Sequence, residues 1–264
     1  MWRRWTGISF LLLIVVLVAT RVSAVELEMV VTEHFPPYQV KSGEKLDGVA
    51  VDIVKALLRR EQISTEHLVL PWSRAYHIAT TEKNVLIYSM RRTQKRESSF
   101  EWIGPVFPNS SMLQSKSSLF LWQLKAREQA NVTTQSMQNL TLVVARDDYI
   151  MDEIVARYQW PEKNVMKVRH WPEAINALKE QRVDAIVLQK NNLIALSKQM
   201  AFDLNDFVPV VDLGRTPQLY VALSKGSDKQ LVERLQQSLA SLHASEEYNL
   251  IEQQWRSSFI KVNF

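Results

Sequence analysis

The residues of this chain best placed to do chemistry are arginines with aromatic neighbours, and that chemistry is the gripping of a small anion. Trp72, Ser73 and Arg74 follow Leu70-Pro71. An indole and a guanidinium therefore open a helix directly after a strand, where free backbone N–H groups add donors for a negative charge. Arg91 and Arg92 stand near Lys95 and Arg96. A guanidinium presents a planar fork that fits a carboxylate bidentately, which an ammonium cannot do, although Arg96 at a helix start also suits a surface ion pair. Phe35 and Tyr38 flank Pro36-Pro37, a rigid turn after the first strand, and either wall a pocket or pack as a loop. Trp72 has the same two readings, pocket wall or core. Glu33 is a carboxylate just past a strand, able to accept an ammonium group or to act as an acid, or else a solvated surface charge.

Signatures of other chemistries are missing from the sequence. There is no Gly-rich phosphate loop and no nucleophile elbow, and the five histidines are scattered without ligand spacing. Six glycines in the whole chain leave little for nucleotide-cradling loops. No enzyme, cofactor or metal is expected.

Those side chains need strand ends and helix starts to hold them, and the apolar pattern supplies both in alternation. Strands are predicted at 27–32, 66–70 and 85–89, with helices at 50–58 and 73–81 between them. The same grammar returns as strands at 140–145, 165–168 and 184–188, with helices at 149–158 and 173–181. A helix at 191–200 and strands at 208–212 and 219–223 follow. Two helices close the chain, one carrying Leu231, Leu235, Leu239 and Leu242 on one face, the other Tyr248, Ile251 and Trp255. This is an α/β pattern of two similar lobes, each a mostly parallel sheet flanked by helices. An internal echo between residues 75–89 and 174–188 supports the duplication.

The amino terminus reads as a cleavable signal peptide: Arg3 and Arg4 precede an apolar run from Ile8 to Ala19, and Val22-Ser23-Ala24 suits cleavage after Ala24. The run is too short to span a bilayer about 30 Å thick as a helix. The chain has no cysteine, so neither a lipid-anchor thiol nor a disulfide framework is available, and a soluble protein of the periplasm is expected. The formal charge of +4 includes Arg3, Arg4 and Arg21 of the leader, so the remainder is close to neutral and nucleic acid is excluded as a partner.

Thr32-Glu33-His34-Phe35-Pro36-Pro37-Tyr38, then Gly48 with Asp52-Ile53, then Leu70-Pro71-Trp72-Ser73-Arg74-Ala75 resemble family 3 of the bacterial extracellular solute-binding proteins. Ser89 to Arg96, Trp102-Ile103-Gly104-Pro105 and Ala177-Leu178 through Arg182-Val183-Asp184-Ala185 continue the resemblance in order. It implies a type II periplasmic-binding-protein clamshell: lobe one from 25–116 and 215–264, lobe two from 117–214, with crossings near 115–119 and 213–218. Ligand sits between the lobes, and closure is a hinge motion.

The resemblance also implies roles. Arg96 matches the position that grips a ligand carboxylate, and Ser89 would add a hydroxyl donor or simply bond its own backbone. Three departures shape the pocket. The carboxylate that neutralises an α-ammonium group in the family's amino-acid binders is matched by Gln189. A Gly-Thr stretch becomes Arg146-Asp147-Asp148, where Arg146 is a second anion contact or the aspartates cap the next helix. Arg91 replaces a small polar residue. Together they tilt the ligand from an α-amino acid toward a dicarboxylate, a modified amino acid or an acidic sugar. The expected partners are this small molecule and an ABC-type permease, the protein being a monomer. A stand-alone sensor for a membrane signalling partner, and a periplasmic cyclic-acid dehydratase with Glu33 as its acid, are the alternatives.

Overall fold

A computed structural model describes residues 27–108, 118–129 and 131–260, with side chains to 256. The expected leader lies outside the described residues, as does most of the first expected crossing.

Strand β1 (Met29–Thr32) is followed by a short hairpin, β2 (Val40–Ser42) and β3 (Lys45–Asp47), and by helix α1 (Val49–Arg60). Gly48 starts that helix for two physical reasons. Its φ of 133° is open only to glycine at no steric cost, and a Cβ there would lie 2.3 Å from the Tyr38 carbonyl oxygen. That carbonyl accepts from Ala50 N at 3.0 Å, so the helix start is tied to the Pro36-Pro37 turn. Next come β4 (His67–Val69), α2 (Trp72–Thr81), β5 (Val85–Arg91) and β6 (Phe100–Pro105).

The second half runs β7 (Ser118–Leu124), β8 (Leu142–Ala145), β9 (Val165–Val168), α3 (Trp171–Lys179), β10 (Ala185–Gln189), α4 (Lys190–Met200) and β11 (Phe207–Arg215). The chain then returns with β12 (Leu219–Ser224), α5 (Lys229–His243) and α6 (Glu246–Ile260). The helix expected at 149–158 is shorter: it is α-helical at 149–150 and takes π geometry over Met151–Val155. Its β-branched Ile150, Ile154 and Val155 are costly to hold in regular helix.

Two five-stranded sheets result, in the orders β4-β1-β5-β12-β6 and β11-β7-β10-β8-β9. Read from opposite ends they have one topology. β12 is antiparallel to both its neighbours in the first sheet, and β7 to both of its own in the second, while the remaining strands of each sheet run one way. The echo seen in sequence falls on equivalent elements, α2 with β5 and α3 with β10. Each lobe has an apolar cluster of its own, and a third cluster runs through both, with the Phe35 and Trp171 rings 6.4 Å apart. Among the described residues no helix is long and apolar enough to cross a membrane.

Candidate functional site

The carboxyl ends of the parallel strands in both sheets converge, which is where open α/β sheets bind ligands. Glu33 follows β1, Ser89 and Arg91 end β5, Arg146 to Asp148 follow β8, and Gln189 ends β10. Ser89 has a left-handed φ of 61° and is skipped in the pairing of β5 with β12, a bulge that turns its hydroxyl aside. The hydroxyl donates to Gln39 Oε1 at 2.9 Å, and Gln39 Nε2 donates to Thr32 Oγ1 at 3.1 Å. Ser89 is thus spent on fixing the Pro36-Pro37 turn to the first sheet.

Arg96 is the centre of the arrangement. It sits on a short 3-10 helix, Gln94–Ser99, and is only 2% exposed. Its guanidinium lies 5.5 Å from the Trp72 ring centroid and 5.1 Å from that of Tyr76, two rings one helical turn apart on α2. Nη1 donates to the Arg91 carbonyl at 3.2 Å, and Nη2 to the Asp147 carbonyl of the opposite lobe at 2.6 Å. Trp72 Nε1 donates to that same Asp147 oxygen at 2.8 Å.

Further contacts bridge the lobes. Tyr38 OH donates to Gln189 Oε1 at 3.0 Å, and Gln189 Nε2 donates to Thr216 Oγ1 at 2.7 Å. Asn192 Nδ2 donates to the Pro36 carbonyl at 2.6 Å, and Lys95 pairs with Asp152 at 2.7 Å. Arg91 donates to the Pro217 carbonyl and lies 5.5 Å from the Tyr149 ring, and among the described residues its buried Nε has no partner.

Two carboxyl groups are buried here, Glu33 from the first lobe and Asp148 from the second. Burial drives the Glu33 pKa well above the usual carboxylate range; Asp148 adds to the rise and Arg96 opposes it. Burial also raises Asp148, against the Ile150 N–H that it accepts at 2.9 Å and the charges of Arg96 and Arg91. Alongside these groups, Tyr76, Lys95, Arg96, Arg146, Asp147, Met151, Asp152 and Lys167 line a cleft of about 360 Å³.

The structure therefore brings together Arg96, Trp72, Tyr38, Glu33, Arg91 and Gln189, with Ser89 just behind them and Arg146 exposed on the cleft wall. Arg74 is different. It is exposed and does not line the cleft, because residues two apart on a helix face opposite ways and α2 turns Trp72 and Tyr76 inward. Sequence reasoning missed Tyr76, although its spacing from Trp72 was a usable signal. It missed Lys95 as a cleft group, and it read Asp148 only as a cap. Asp148 does cap Ile150, but it is also part of the buried charge cluster. Nothing in the sequence pointed to Gln39, Asn192 or Thr216.

Two α/β lobes with one topology, meeting at their strand ends around a charged cleft, define a protein of the periplasmic-binding-protein-like fold. The chain belongs to the bacterial extracellular solute-binding proteins, family 3, whose profile matches residues 27–258. No curated protein sequence matches significantly. Solved structures similar to it include an ancestral arginine-binding protein bound to arginine, at 19% identity over 86% of this chain and 96% of that one, with a TM-score of 0.69. The arginine-, lysine-, histidine-binding protein ArtJ from Geobacillus stearothermophilus is 16% identical over 88% and 96%, with a TM-score of 0.71. A histidine kinase sensor domain with similarity to periplasmic binding proteins is 18% identical over 86% and 95%, with a TM-score of 0.70.

Proposed function

We propose that this chain is an exported, monomeric solute-binding protein of the periplasm that closes its lobes over a small carboxylate and delivers it to an ABC-type permease. The lobes are 25–116 with 215–264, and 117–214. One observation carries this reading: Arg96, fully buried between two aromatic rings at the lobe boundary, on a cleft that Lys95, Arg146 and Lys167 also line. The side-chain bonds of Arg96 go to the neutral Arg91 and Asp147 carbonyls, so a ligand carboxylate would bring the opposite charge that a buried guanidinium favours.

The relatives named for arginine, lysine and histidine support an amino-acid-like ligand. The lining favours an acid without an α-ammonium group. Gln189 uses the oxygen of its amide on Tyr38 and the nitrogen on Thr216, and it brings no charge. A dicarboxylate or acidic sugar fits this set of groups. The likeness to a sensor domain supports a second reading, in which the same closure is reported to a membrane kinase. We assign no catalytic step. A dehydratase using Glu33 as its acid would consume cyclic acids in solution, whereas a binding protein returns them unchanged.

The test is a thermal-shift screen of the mature protein against amino acids, dicarboxylates and sugar acids, since a ligand that binds only the folded state raises the melting temperature. Arg96→Ala weakens the hit by about 2–4 kcal/mol, read by calorimetry, and Arg96→Lys recovers only part because the fork is lost. Unchanged affinity in Arg96→Ala removes Arg96 from the site.

A further inference from the structure

Arg96 Nη2 and Trp72 Nε1 both point at one oxygen, the Asp147 carbonyl, at 2.6 and 2.8 Å. The donors belong to the first lobe and the acceptor to the second. The guanidinium cannot easily turn away, because the Trp72 and Tyr76 rings flank it and its Nη1 is held by the Arg91 carbonyl. Two N–H groups fixed in this way form a preorganised seat for an oxygen, and a carboxylate oxygen would take the same two bonds with more charge. The acceptor is delivered by a specific backbone shape. Asp147 has a left-handed φ of 58°, between the end of β8 and Asp148, whose N–H returns to Ala145 O at 3.3 Å.

We infer that the Asp147 carbonyl is a built-in competitor for the ligand carboxylate: it occupies the Arg96–Trp72 seat, holds the lobes together, and is displaced when ligand binds. The inference rests on the proposed carboxylate-binding function. Its consequence is that apparent affinity falls by the fraction of molecules in which the seat is already filled. The turn at Asp147 thereby tunes affinity through its backbone.

Substitutions at Asp147 change that fraction through φ. Glycine takes a left-handed φ without cost, asparagine tolerates it, alanine resists it and a β-branched valine resists it most. Glycine, asparagine, alanine and valine are all uncharged, so comparing these four with one another removes the effect of the lost carboxylate. The order of seat occupancy is Asp147→Gly, then Asp147→Asn, then Asp147→Ala, then Asp147→Val.

Two measurements test this. Because the chain has no cysteine, Lys55→Cys and Lys163→Cys give one clean spin-labelled pair, with one site in each lobe. Without ligand, the inter-lobe distance distribution should move steadily toward longer distances from Asp147→Gly to Asp147→Val. With succinate as the probe, calorimetry should show binding tightening in the same order, by about threefold to tenfold across the series. A residue that merely supports the fold would weaken binding as its turn is strained, giving the reverse order. Equal distance distributions in all four variants, or succinate binding that weakens toward valine, overturn the inference. If succinate binds to none of them, the carboxylate reading loses its dicarboxylate class, while the distance measurement still decides whether Asp147 closes the lobes.

Discussion

Glu33 is a carboxyl with almost no exposure, and among the described residues no side-chain hydrogen bond holds it, in contrast to Asp148 across the boundary. Its pKa is raised in the fold, so between the ordinary carboxylate value and the raised one the folded protein binds more protons than the unfolded chain. Stability from this group is complete in acid and is lost as pH rises through the folded value. Glu33→Gln should therefore stabilise the ligand-free protein above that window and leave it unchanged below it. Urea unfolding at several pH values checks this, and a parallel fall for both proteins as pH rises would refute it. At this scale the sequence revealed residue types but not their company. Arg96 was legible through the family motif that places it, and Trp72 and Tyr38 were legible as aromatic groups next to strand ends, with packing in the core or a loop as their other reading. The pairing of Gln189 with Tyr38 and Thr216, or of Ser89 with Gln39, joins residues far apart in the chain. No local pattern encodes such contacts.

Helices and strands were more legible, because burial imposes a period that the sequence must carry. Asp228 accepts from Leu231 N at 2.9 Å as the amino-terminal cap of α5, and Leu231, Leu235, Leu239 and Leu242 are all buried, as their spacing predicted. β6 was not read as a strand from its pattern, since it carries both a glycine and a proline. Gly104 has a packing reason to be there: a Cβ would sit 3.0 Å from Leu239 Cδ2, so α5 lies against β6 at that point. The β2–β3 hairpin was also missed, being only three residues a side with exposed or half-buried side chains. The packing of α5 gives a direct prediction. Leu235 has no exposure at all, and Leu235→Ala should cost about 2–5 kcal/mol in urea unfolding. Leu250 on the solvent side of α6 is 57% exposed, and Leu250→Ala should stay within about 0.5 kcal/mol. Equal losses at the two positions would mean that the faces of these helices are misassigned.

The whole molecule is asymmetric in a way that its matching topologies conceal. Every strand of the second sheet lies between Ser118 and Arg215, so that lobe is continuous in the chain. The first sheet is not. Among the described residues β6 pairs only with β12, and β12 arrives from the far side of the second lobe to stand between β5 and β6. Without β12, β6 has no partner in its sheet, and without α5 the outer face of β6 loses its cover. A fragment of residues 118–215 retains all its ladders and its own apolar cluster, built on Leu121, Leu142, Ile150 and Val187. It should fold cooperatively alone, less stable than the full chain because Trp171 loses Phe35. A fragment of residues 27–108 should not, since three parallel strands would remain with an unpaired edge and an exposed face where α5 and α6 belong. Circular dichroism melts and amide dispersion in NMR distinguish the two outcomes. A cooperative melt for 27–108 alone, or none for 118–215, would contradict the dependence of the first lobe on the returning chain. The lobe that supplies Arg96 and Trp72 is completed only after the chain has built the lobe that supplies Asp147.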